Sequence, residues 1–225
     1  MSKNKIIRLD EDNTSIRERK KIINVSGIYA GDCRWVDNAK MVQYHSDADL
    51  LIFPGGGDVN PKLYGEPVGK HTWFSEHTDK NQIAVYKANV GKRKLFGICR
   101  GLQLLHVMAG GKLVQDISHG QHGLITYDGQ RLHSNSLHHQ QVMFAGMKEG
   151  EDYVLLAWST ERSPYHMNGK GEDYNFPADY RDPEVVYYPK IGAMGMQGHP
   201  EMMSPNSETV AWLNKQVRKY LFNEK

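Results

Sequence analysis

The sequence has little cysteine, no strong excess of charge and no long apolar segment. Cys33 and Cys99 are the only cysteines in 225 residues, which excludes a scaffold of several disulfides and favours a reducing compartment, by default the cytosol. The formal net charge is +2, with basic and acidic residues interspersed, so there is no electrostatic signature of nucleic-acid binding. No uncharged run approaches the length needed to cross a membrane. These absences favour a soluble protein that acts on small polar molecules.

The residues that are present fit one folded α/β domain. Apolar runs that stop at turn residues predict strands at 22–25, 49–53 and 94–98, and helix-compatible segments follow at 35–44, 78–90 and 102–109. This βαβαβα order requires crossover connections, so it predicts a three-layer, open, mostly parallel sheet with helices on both faces. Further strands are predicted at 141–144, 154–158, 184–188 and 191–197, before a helix at 207–222. We expect residues 1–20 to form a charged leader and residues 21–225 a single domain.

A cysteine lies where a predicted strand meets a predicted helix, in Gly97-Ile98-Cys99-Arg100-Gly101. A sharp turn at this point presents the side chain above the sheet, and the flanking glycines let the helix pack close to the strand. The helix N-terminus favours the thiolate, which is the nucleophilic form. A structural buried cysteine fits the same pattern. A nucleophilic role therefore requires a base elsewhere in the chain.

His199 is the histidine whose context suits a base. It follows the last predicted strand, and only a proline separates it from Glu201. This spacing lets the carboxylate accept the Nδ1 hydrogen of the imidazole while Nε2 faces the thiol. The backbone amides of the 55–57 glycine loop and of Arg100 are placed to stabilise a developing oxyanion. All these segments follow strands, and open α/β sheets carry their sites at the carboxyl ends of strands.

The other histidines do not have a convincing metal-ligand spacing. Zinc sites add cysteine or carboxylate at regular separations, a pattern that is missing around His119, His122, His133, His138 and His139. We therefore expect no metal site. Cys33 lies in a polar stretch without a histidine motif and is expected to be a bystander thiol.

Five motifs occur in order over most of the chain from residue 50 onward. They occupy residues 53–61 with 63–66, then 97–105, 110–116, 135–140 and 199–201. Together they resemble the class I glutamine amidotransferase superfamily, and within it most closely the γ-glutamyl-γ-aminobutyrate hydrolase group of peptidases. The resemblance implies a flavodoxin-like fold, a single catalytic domain, and chemistry that needs neither a metal nor an organic cofactor.

The resemblance also implies roles for individual residues. Cys99 would be the nucleophile, His199 the general base and then acid, and Glu201 the group that orients His199. The oxyanion hole would consist of the amides of Gly56, Gly57 and Arg100. Substrate would be bound by Gln103, which helps shape a γ-glutamyl pocket, and by the loop that carries Ser136, His138 and His139.

Some features depart from the family pattern. His106 stands where the family usually has asparagine, and Gly198 stands where an aromatic residue commonly precedes the histidine. The missing side chain at Gly198 is expected to open or reshape the acceptor side of the pocket. The interval 25–49 is short for a first crossover, which suggests a compressed connection or a missing edge strand. The interval 163–182 is long, and we expect a surface loop in preference to a functional lid.

Three functions fit these observations. The first is a free-standing hydrolase of γ-glutamyl amides, whose substrate is a small γ-glutamyl amine or glutamine. The second is a glutaminase subunit that delivers ammonia to a synthetase on a separate partner chain. The third is a non-catalytic binding protein on the same fold, against which the intact Cys99, His199 and Glu201 count. A homodimer is left open, and neither nucleic acid nor membrane is expected as a partner.

Overall fold

The fold is built around one continuous, mixed β-sheet. The computed structural model describes residues 21–118 and 120–224, so the expected leader at 1–20 lies outside the described residues. The strands are β1 (Ile23–Gly27), β2 (Ala39–Met41), β3 (Leu50–Phe53), β4 (Lys94–Ile98), β5 (Lys112–Val114), β6 (Asp116–Ile117), β7 (His122–Thr126), β8 (Arg131–Ser134), β9 (Gln141–Met143), β10 (Val154–Ser159), β11 (His166–Met167), β12 (Pro183–Tyr188) and β13 (Ala193–Met196). The α-helices are α1 (Glu76–Asn89), α2 (Arg100–Met108) and α3 (Glu208–Gln216), and α3 continues into a π-helical turn at Val217–Leu221.

Nine strands form the main sheet in the order β2-β1-β3-β4-β13-β12-β10-β7-β8. The pairs from β2 to β13 are parallel, whereas those from β13 to β8 are antiparallel. All four side chains of β3 are buried, as expected for a parallel strand covered on both faces. The candidate site lies in the parallel half.

Helices cover both faces of the sheet. Leu51 and Phe53 of β3 belong to an apolar cluster that includes residues of α1 and α2. Leu50 and Ile52 point the other way, into a cluster that includes residues of α3, because successive side chains of a strand alternate between faces. The expected three-layer α/β architecture is therefore confirmed.

The predicted elements of the parallel half largely coincide with the structure. β4 has the predicted bounds, and α1 covers most of the helix predicted at 78–90. α1 begins after Ser75, whose hydroxyl accepts a hydrogen bond from the Thr78 amide, and α3 begins in the same way after Ser207. β5 to β8 and β11 were not predicted; β5, β6 and β11 have only two or three residues.

The prediction of a helix at 35–44 is wrong, so the predicted βαβαβα order does not hold for its first strand–helix pair. Two 3₁₀ turns, Ala30–Cys33 and His45–Asp47, flank β2, which pairs with β1 at the edge of the sheet. Asn38 adopts a positive φ of 53°, which interrupts an α-helix. All three side chains of β2 are exposed, and the buried side chains of this segment are Trp35 and Val36 at its start, so no apolar face recurs along it. The connection from β1 to β3 is compressed and contains no α-helix among its described residues.

The segment 163–182 packs onto the domain. Its short strand β11 pairs with β6, and the rings of Tyr174, Phe176 and Tyr180 stack in sequence with centroids 5.4 and 4.0 Å apart. Buried His166 lies 2.6 Å from Asp182 at the end of the segment. The expected surface loop is therefore tied to the domain at several points.

Within the described part of the chain, none of the helices has the length and apolar character required to span a bilayer.

Candidate functional site

Cys99 lies in a strained turn between β4 and α2. Its φ is 49°, a left-handed value that non-glycine residues seldom adopt, and the side chain is 6% exposed. A Cβ on Gly97 would lie 2.3 Å from the backbone of Gly101, and one on Gly101 would lie 2.3 Å from the Phe53 carbonyl oxygen. Only glycine on each side allows this close approach of helix and strand. The structure thus agrees with the turn geometry expected from the sequence.

His199 and Glu201 lie beside this turn. His199 follows β13, which is the strand paired with β4. Its Nδ1 is 2.8 Å from Glu201 Oε1, and Cys99 is close enough to the ring to be among the groups that raise the pKa of His199. Gly55 faces the ring, because a Cβ there would lie 2.9 Å from His199 Cε1 and 3.7 Å from Cys99 Cβ. Three separated segments therefore meet at the carboxyl ends of β3, β4 and β13.

The surroundings of His199 favour its protonated form. Burial acts to lower the pKa, but hydrogen bonds to Cys99 and Glu201 outweigh it and raise the pKa of His199 to about 10. A protonated His199 next to the Cys99 sulfur is a group that can donate a proton at neutral pH.

Asn135 holds the backbone of the candidate base from the side of the antiparallel half. Its Oδ1 accepts a hydrogen bond from the His199 amide at 2.8 Å, and its Nδ2 donates to the His199 carbonyl at 3.0 Å. Gln197 approaches from the same strand end and directs its Nε2 at Cys99 Sγ, 3.8 Å away. Neither Asn135 nor Gln197 was predicted as a site residue, although Asn135 begins the motif at 135–140.

The glycine loop follows β3 and lies next to the turn. Gly56 has a φ of 154°, and both Gly56 and Gly57 are exposed. Among the described residues, no acceptor is found for the backbone amides of Gly56, Gly57 and Arg100. A Cβ on Gly56 would lie 3.4 Å from Arg100 Cδ, so the two parts of the predicted oxyanion hole are adjacent. These amides are available to an oxyanion.

The buried Arg100 side chain connects the turn to α1. It is 2% exposed, forms an ion pair with Asp79 of α1, and donates a 2.5 Å hydrogen bond to Gln82. The second oxygen of Asp79 accepts the Asn60 amide at 3.2 Å. Burial raises the pKa of Asp79, an effect that the charge of Arg100 opposes. The pair fixes α1, the turn and the segment after the glycine loop to one another.

The predicted substrate-side residues occupy different environments. Gln103 is 3% exposed and donates from Nε2 to the Gln140 carbonyl at 3.0 Å. Ser136 is buried. His139 is half-exposed, and its Nε2 lies 3.0 Å from Asp58 Oδ1. Of these residues, His139 is the one whose side chain a substrate can reach.

His139 also lines an open groove beside the glycine loop. The groove has a volume of about 520 Å³ and is lined by His71, Trp73, Asp116, His139 and Tyr165. Trp73 is 77% exposed, and its backbone amide and carbonyl both pair with Asp58, one residue beyond the glycine loop. The groove therefore adjoins the predicted oxyanion hole.

His138 is turned away from solvent. Its side chain is 1% exposed and its Nε2 lies 3.4 Å from Glu184 Oε1, while His122 Nε2 lies 3.1 Å from the same oxygen. Burial acts to raise the pKa of Glu184, but hydrogen bonds from the two histidines outweigh it and lower that pKa to about 2. Glu184 was not a predicted site residue, although a glutamate inside the apolar strand β12 is an unusual signal.

Both departures from the family pattern have structural explanations. His106 is fully buried between Tyr188 Oη, 2.9 Å from Nδ1, and the Met143 carbonyl, 3.0 Å from Nε2. Burial lowers the pKa of His106 to about 4. The space beside Gly198 is filled, since a Cβ there would lie 2.6 Å from Ser134 Oγ. The pocket is therefore not opened in the Cβ direction of Gly198, and a reshaped acceptor side stays a prediction.

Two residues near the N-terminal part of the domain complete the surroundings. Burial and the charge of Glu201 both raise the pKa of Asp32, whereas the charge of His199 lowers it, so Asp32 is an acidic group that interacts with the candidate base and its carboxylate. Cys33 is buried, and burial raises the pKa of its thiol to about 12. The expectation of a bystander thiol at Cys33 agrees with this environment. His119 lies outside the described residues.

The fold and the cysteine turn define a protein of the class I glutamine amidotransferase type. A model of the peptidase C26 family matches residues 33–153, more than half of the chain, so the chain belongs to this family.

Among curated relatives, the glutamine amidotransferase-like protein YvdE of Lactococcus lactis subsp. lactis is 41% identical over 86 residues, and protein NtpR of Enterococcus hirae is 38% identical over 79 residues. These alignments cover 37% and 33% of this chain but only 36% and 32% of the relatives. The matched segment thus spans about a third of each relative.

Solved structures show the same fold. A Thermoplasma acidophilum protein described as part of a GMP synthase has a TM-score of 0.51 and 13% identity, covering 88% of this chain and 98% of its own. A chain of PurLQS from Thermotoga maritima also has a TM-score of 0.51, with 16% identity and coverages of 90% and 97%. At these identities the likeness concerns the fold alone.

Proposed function

We propose that the protein is a cysteine-dependent hydrolase of γ-glutamyl amide bonds, in γ-glutamyl amines or in glutamine. The observation that carries the proposal is the contact of Cys99, at a strained strand-to-helix turn, with a histidine oriented by Glu201. Membership of the peptidase C26 family supports a hydrolase. We place the activity in the cytosol, where the two free thiols would stay reduced.

The reaction follows from the positions of these groups. The Cys99 thiolate attacks the γ-carbonyl carbon, and the amides of the glycine loop and of Arg100 receive the negative charge that develops on oxygen. His199 donates its proton to the leaving amine as the C–N bond breaks, which leaves a glutamyl thioester on sulfur. His199 then takes a proton from water, whose oxygen attacks the thioester and releases glutamate and the thiolate.

We assign the leaving amine to the groove beside the glycine loop. The groove is next to Asp58, because the backbone of its lining residue Trp73 pairs with Asp58. It presents the exposed Trp73 ring together with Tyr165 and Asp116. An amine product is cationic at neutral pH, and aromatic faces and carboxylates both attract cations. Among amines of equal size, those with an aromatic or cationic tail are therefore expected to be the better leaving groups.

The decisive experiment measures glutamate release by the purified protein from glutamine and from a panel of γ-glutamyl amines. We expect turnover that Cys99→Ala abolishes and that Cys33→Ala, the matched thiol control, leaves unchanged. The panel contains neutral, acidic, basic and aromatic amines, so the same measurement ranks the leaving groups. Absence of turnover on all of them would contradict a free-standing hydrolase.

The second candidate, a glutaminase subunit, predicts a different outcome of that experiment. The protein would then be silent alone, while an electrophilic glutamine analogue would still label Cys99. Such a result would direct the search to a synthetase partner. The protein shares its fold with a chain of PurLQS. Failure of both turnover and labelling would leave the non-catalytic binding protein.

A further inference from the structure

Three side chains from distant parts of the chain converge at a buried point outside the catalytic groups. His122 begins β7, His138 lies in the loop between β8 and β9, and Glu184 is in β12. The side chains are 1%, 1% and 0% exposed. One nitrogen from each ring and one carboxylate oxygen all lie within 4.8 Å of one another.

The hydrogen bond made by Nδ1 of each ring determines which form of Nε2 faces the Glu184 carboxylate. His122 Nδ1 is 2.9 Å from the Gly120 carbonyl oxygen, and His138 Nδ1 is 3.0 Å from that of Gln140. A carbonyl oxygen only accepts, so both Nδ1 atoms carry hydrogen. In the neutral rings the lone pairs at Nε2 then point towards Glu184 Oε1, at 3.1 and 3.4 Å. A cation at this point, either hydrogen on the rings or a metal ion, lets both rings bind the carboxylate oxygen.

We propose that His122, His138 and Glu184 form a binding site for a divalent transition-metal ion of the zinc class. A backbone carbonyl holding Nδ1 while Nε2 binds the metal is the usual second shell of a histidine ligand. Bonds of about 2.0–2.1 Å in a tetrahedral site place ligand atoms about 3.3 Å apart, close to the two separations seen here. Imidazoles with one carboxylate suit zinc better than magnesium or calcium, which prefer oxygen.

The geometry of the cluster suits a metal ion, because one nitrogen of each ring and one carboxylate oxygen converge within 4.8 Å of one another. A single metal ion binds all three atoms with both rings neutral. Oε2 of Glu184 accepts no hydrogen bond from the described residues, so this oxygen or a water can fill the fourth position.

The site would have a structural role. It would connect the loop at 135–140 to β12, whose Glu184 carbonyl accepts the Gln197 amide at 2.7 Å. The same loop carries Asn135, which holds His199. The metal would fix the frame around the base without taking part in the reaction, so the inference stands whether or not the proposed substrate is correct.

The test is metal content in a Cys99→Ala background, which removes the one reactive thiol that could bind zinc by itself. The untagged protein is produced with zinc in the medium, dialysed at pH 7.5 and analysed by mass spectrometry for metal per chain. We expect about one zinc per folded chain, retained in His133→Gln, an exposed histidine of β8 that serves as control. Zinc content should fall at least tenfold in His122→Gln and in Glu184→Gln.

Refolding from denaturant with Co²⁺ alone gives a second readout that does not depend on those variants folding. Tetrahedral Co²⁺ with nitrogen ligands has a strong visible absorption, which should appear in Cys99→Ala and disappear on addition of Zn²⁺. A folded Cys99→Ala protein that binds neither metal would overturn the proposal. Zinc retained in folded His122→Gln and Glu184→Gln would overturn it as well, because it would place the metal elsewhere.

Discussion

At the scale of single residues, the candidate site depends on three glycines, because a Cβ at any of them would overlap a neighbouring group. Gly55, Gly97 and Gly101 each face a neighbour that a Cβ would meet at less than 3.0 Å. Gly97 and Gly101 allow the sharp turn, whereas Gly55 lets the ring of His199 lie against the glycine loop. Their conformational freedom matters less than the space they leave, since none of the three has a positive φ.

Gly55→Ala should impair catalysis with little effect on folding. The new methyl would overlap His199 Cε1, only 2.9 Å from the Cβ position, and push the base away from Cys99. Displacement of a catalytic group by about 1 Å costs about 10²-fold in rate, so we expect kcat/KM for glutamate release to fall by about that factor. Gly31→Ala, whose Cβ would meet nothing within 4 Å, is the matched control. An unimpaired Gly55→Ala enzyme would contradict the assigned position of the base.

Glu201→Gln should weaken the thiolate–imidazolium pair. Hydrogen bonding to Glu201 is one of the interactions that raise the pKa of His199 to about 10, so removal of the negative charge lowers that pKa. The imidazolium is then less populated at pH 7, and alkylation of Cys99 by iodoacetamide should slow there and recover as rising pH ionises the thiol directly. Rates against pH measure this, with labelling located by mass spectrometry. Cys33, with a pKa of about 12, should stay unlabelled; equal labelling of both thiols at pH 7 would count against the assignment.

At the scale of elements, the site is held by two polar connections between segments that hydrophobic packing alone would not orient. Asn135 links the loop after β8 to the end of β13. The Arg100–Asp79 pair links the start of α2 to α1. Both connections are buried or partly buried. If one partner is lost, water does not take its place, and the remaining polar group is left without a hydrogen bond.

Asn135→Ala should lower kcat while KM stays nearly constant. Both hydrogen bonds to the His199 backbone disappear, so the base samples positions away from Cys99 even when substrate is bound. We expect a decrease in kcat of about tenfold, which corresponds to the ~1.4 kcal/mol expected from one or two buried hydrogen bonds. Steady-state kinetics on the best substrate measures the split, and Asn206→Ala, at an exposed position, is the control. An unchanged kcat would show that the backbone of His199 needs no such support.

Asp79→Ala should destabilise the fold by about 3–5 kcal/mol, because it leaves the guanidinium of Arg100 buried and unpaired. Urea unfolding followed by circular dichroism gives the free energy of unfolding. The double variant Asp79→Ala/Arg100→Met removes both charges and should recover most of the loss. If the single and double variants were equally unstable, the loss would come from packing and not from the unpaired charge.

At the scale of the whole molecule, one sheet joins the two halves that supply the site. Cys99, His199 and the glycine loop come from the parallel half, whereas Asn135 comes from the loop after β8 in the antiparallel half. The strands β13 and β12 pair over four residues and connect the halves without a break. We therefore expect neither half to unfold alone.

Equilibrium unfolding in urea should accordingly show one transition. Tryptophan fluorescence, far-ultraviolet circular dichroism and the reactivity of Cys99 should have coincident midpoints, which is the test of two-state behaviour. Trp35 reports on the parallel half and Trp158 on the antiparallel half. Exposure of Cys99 at a lower urea concentration than the loss of secondary structure would show that the site opens independently of the sheet.

The local pattern of the sequence was sufficient for the elements that carry the site. Apolar runs ending at glycine located β3 and β4, and the Gly-x-Cys-x-Gly pattern located the turn, because these features depend on residues adjacent in the chain. The pairing of His199 with Glu201 was predictable for the same reason, since a single proline separates them.

Tertiary structure alone decided what depends on distant segments. Residues 39–41 became an edge strand because β1 offered an unpaired edge and the three exposed side chains of this strand give a helix no apolar face to bury. The space at Gly198 was closed by Ser134 of β8, a strand far from it in the chain. His122, His138 and Glu184 met because β7, β12 and the loop after β8 come together at one point, and no spacing along the chain encodes that meeting. Local propensity acts over a few residues, whereas a site is assembled by packing between segments that only the folded chain brings together.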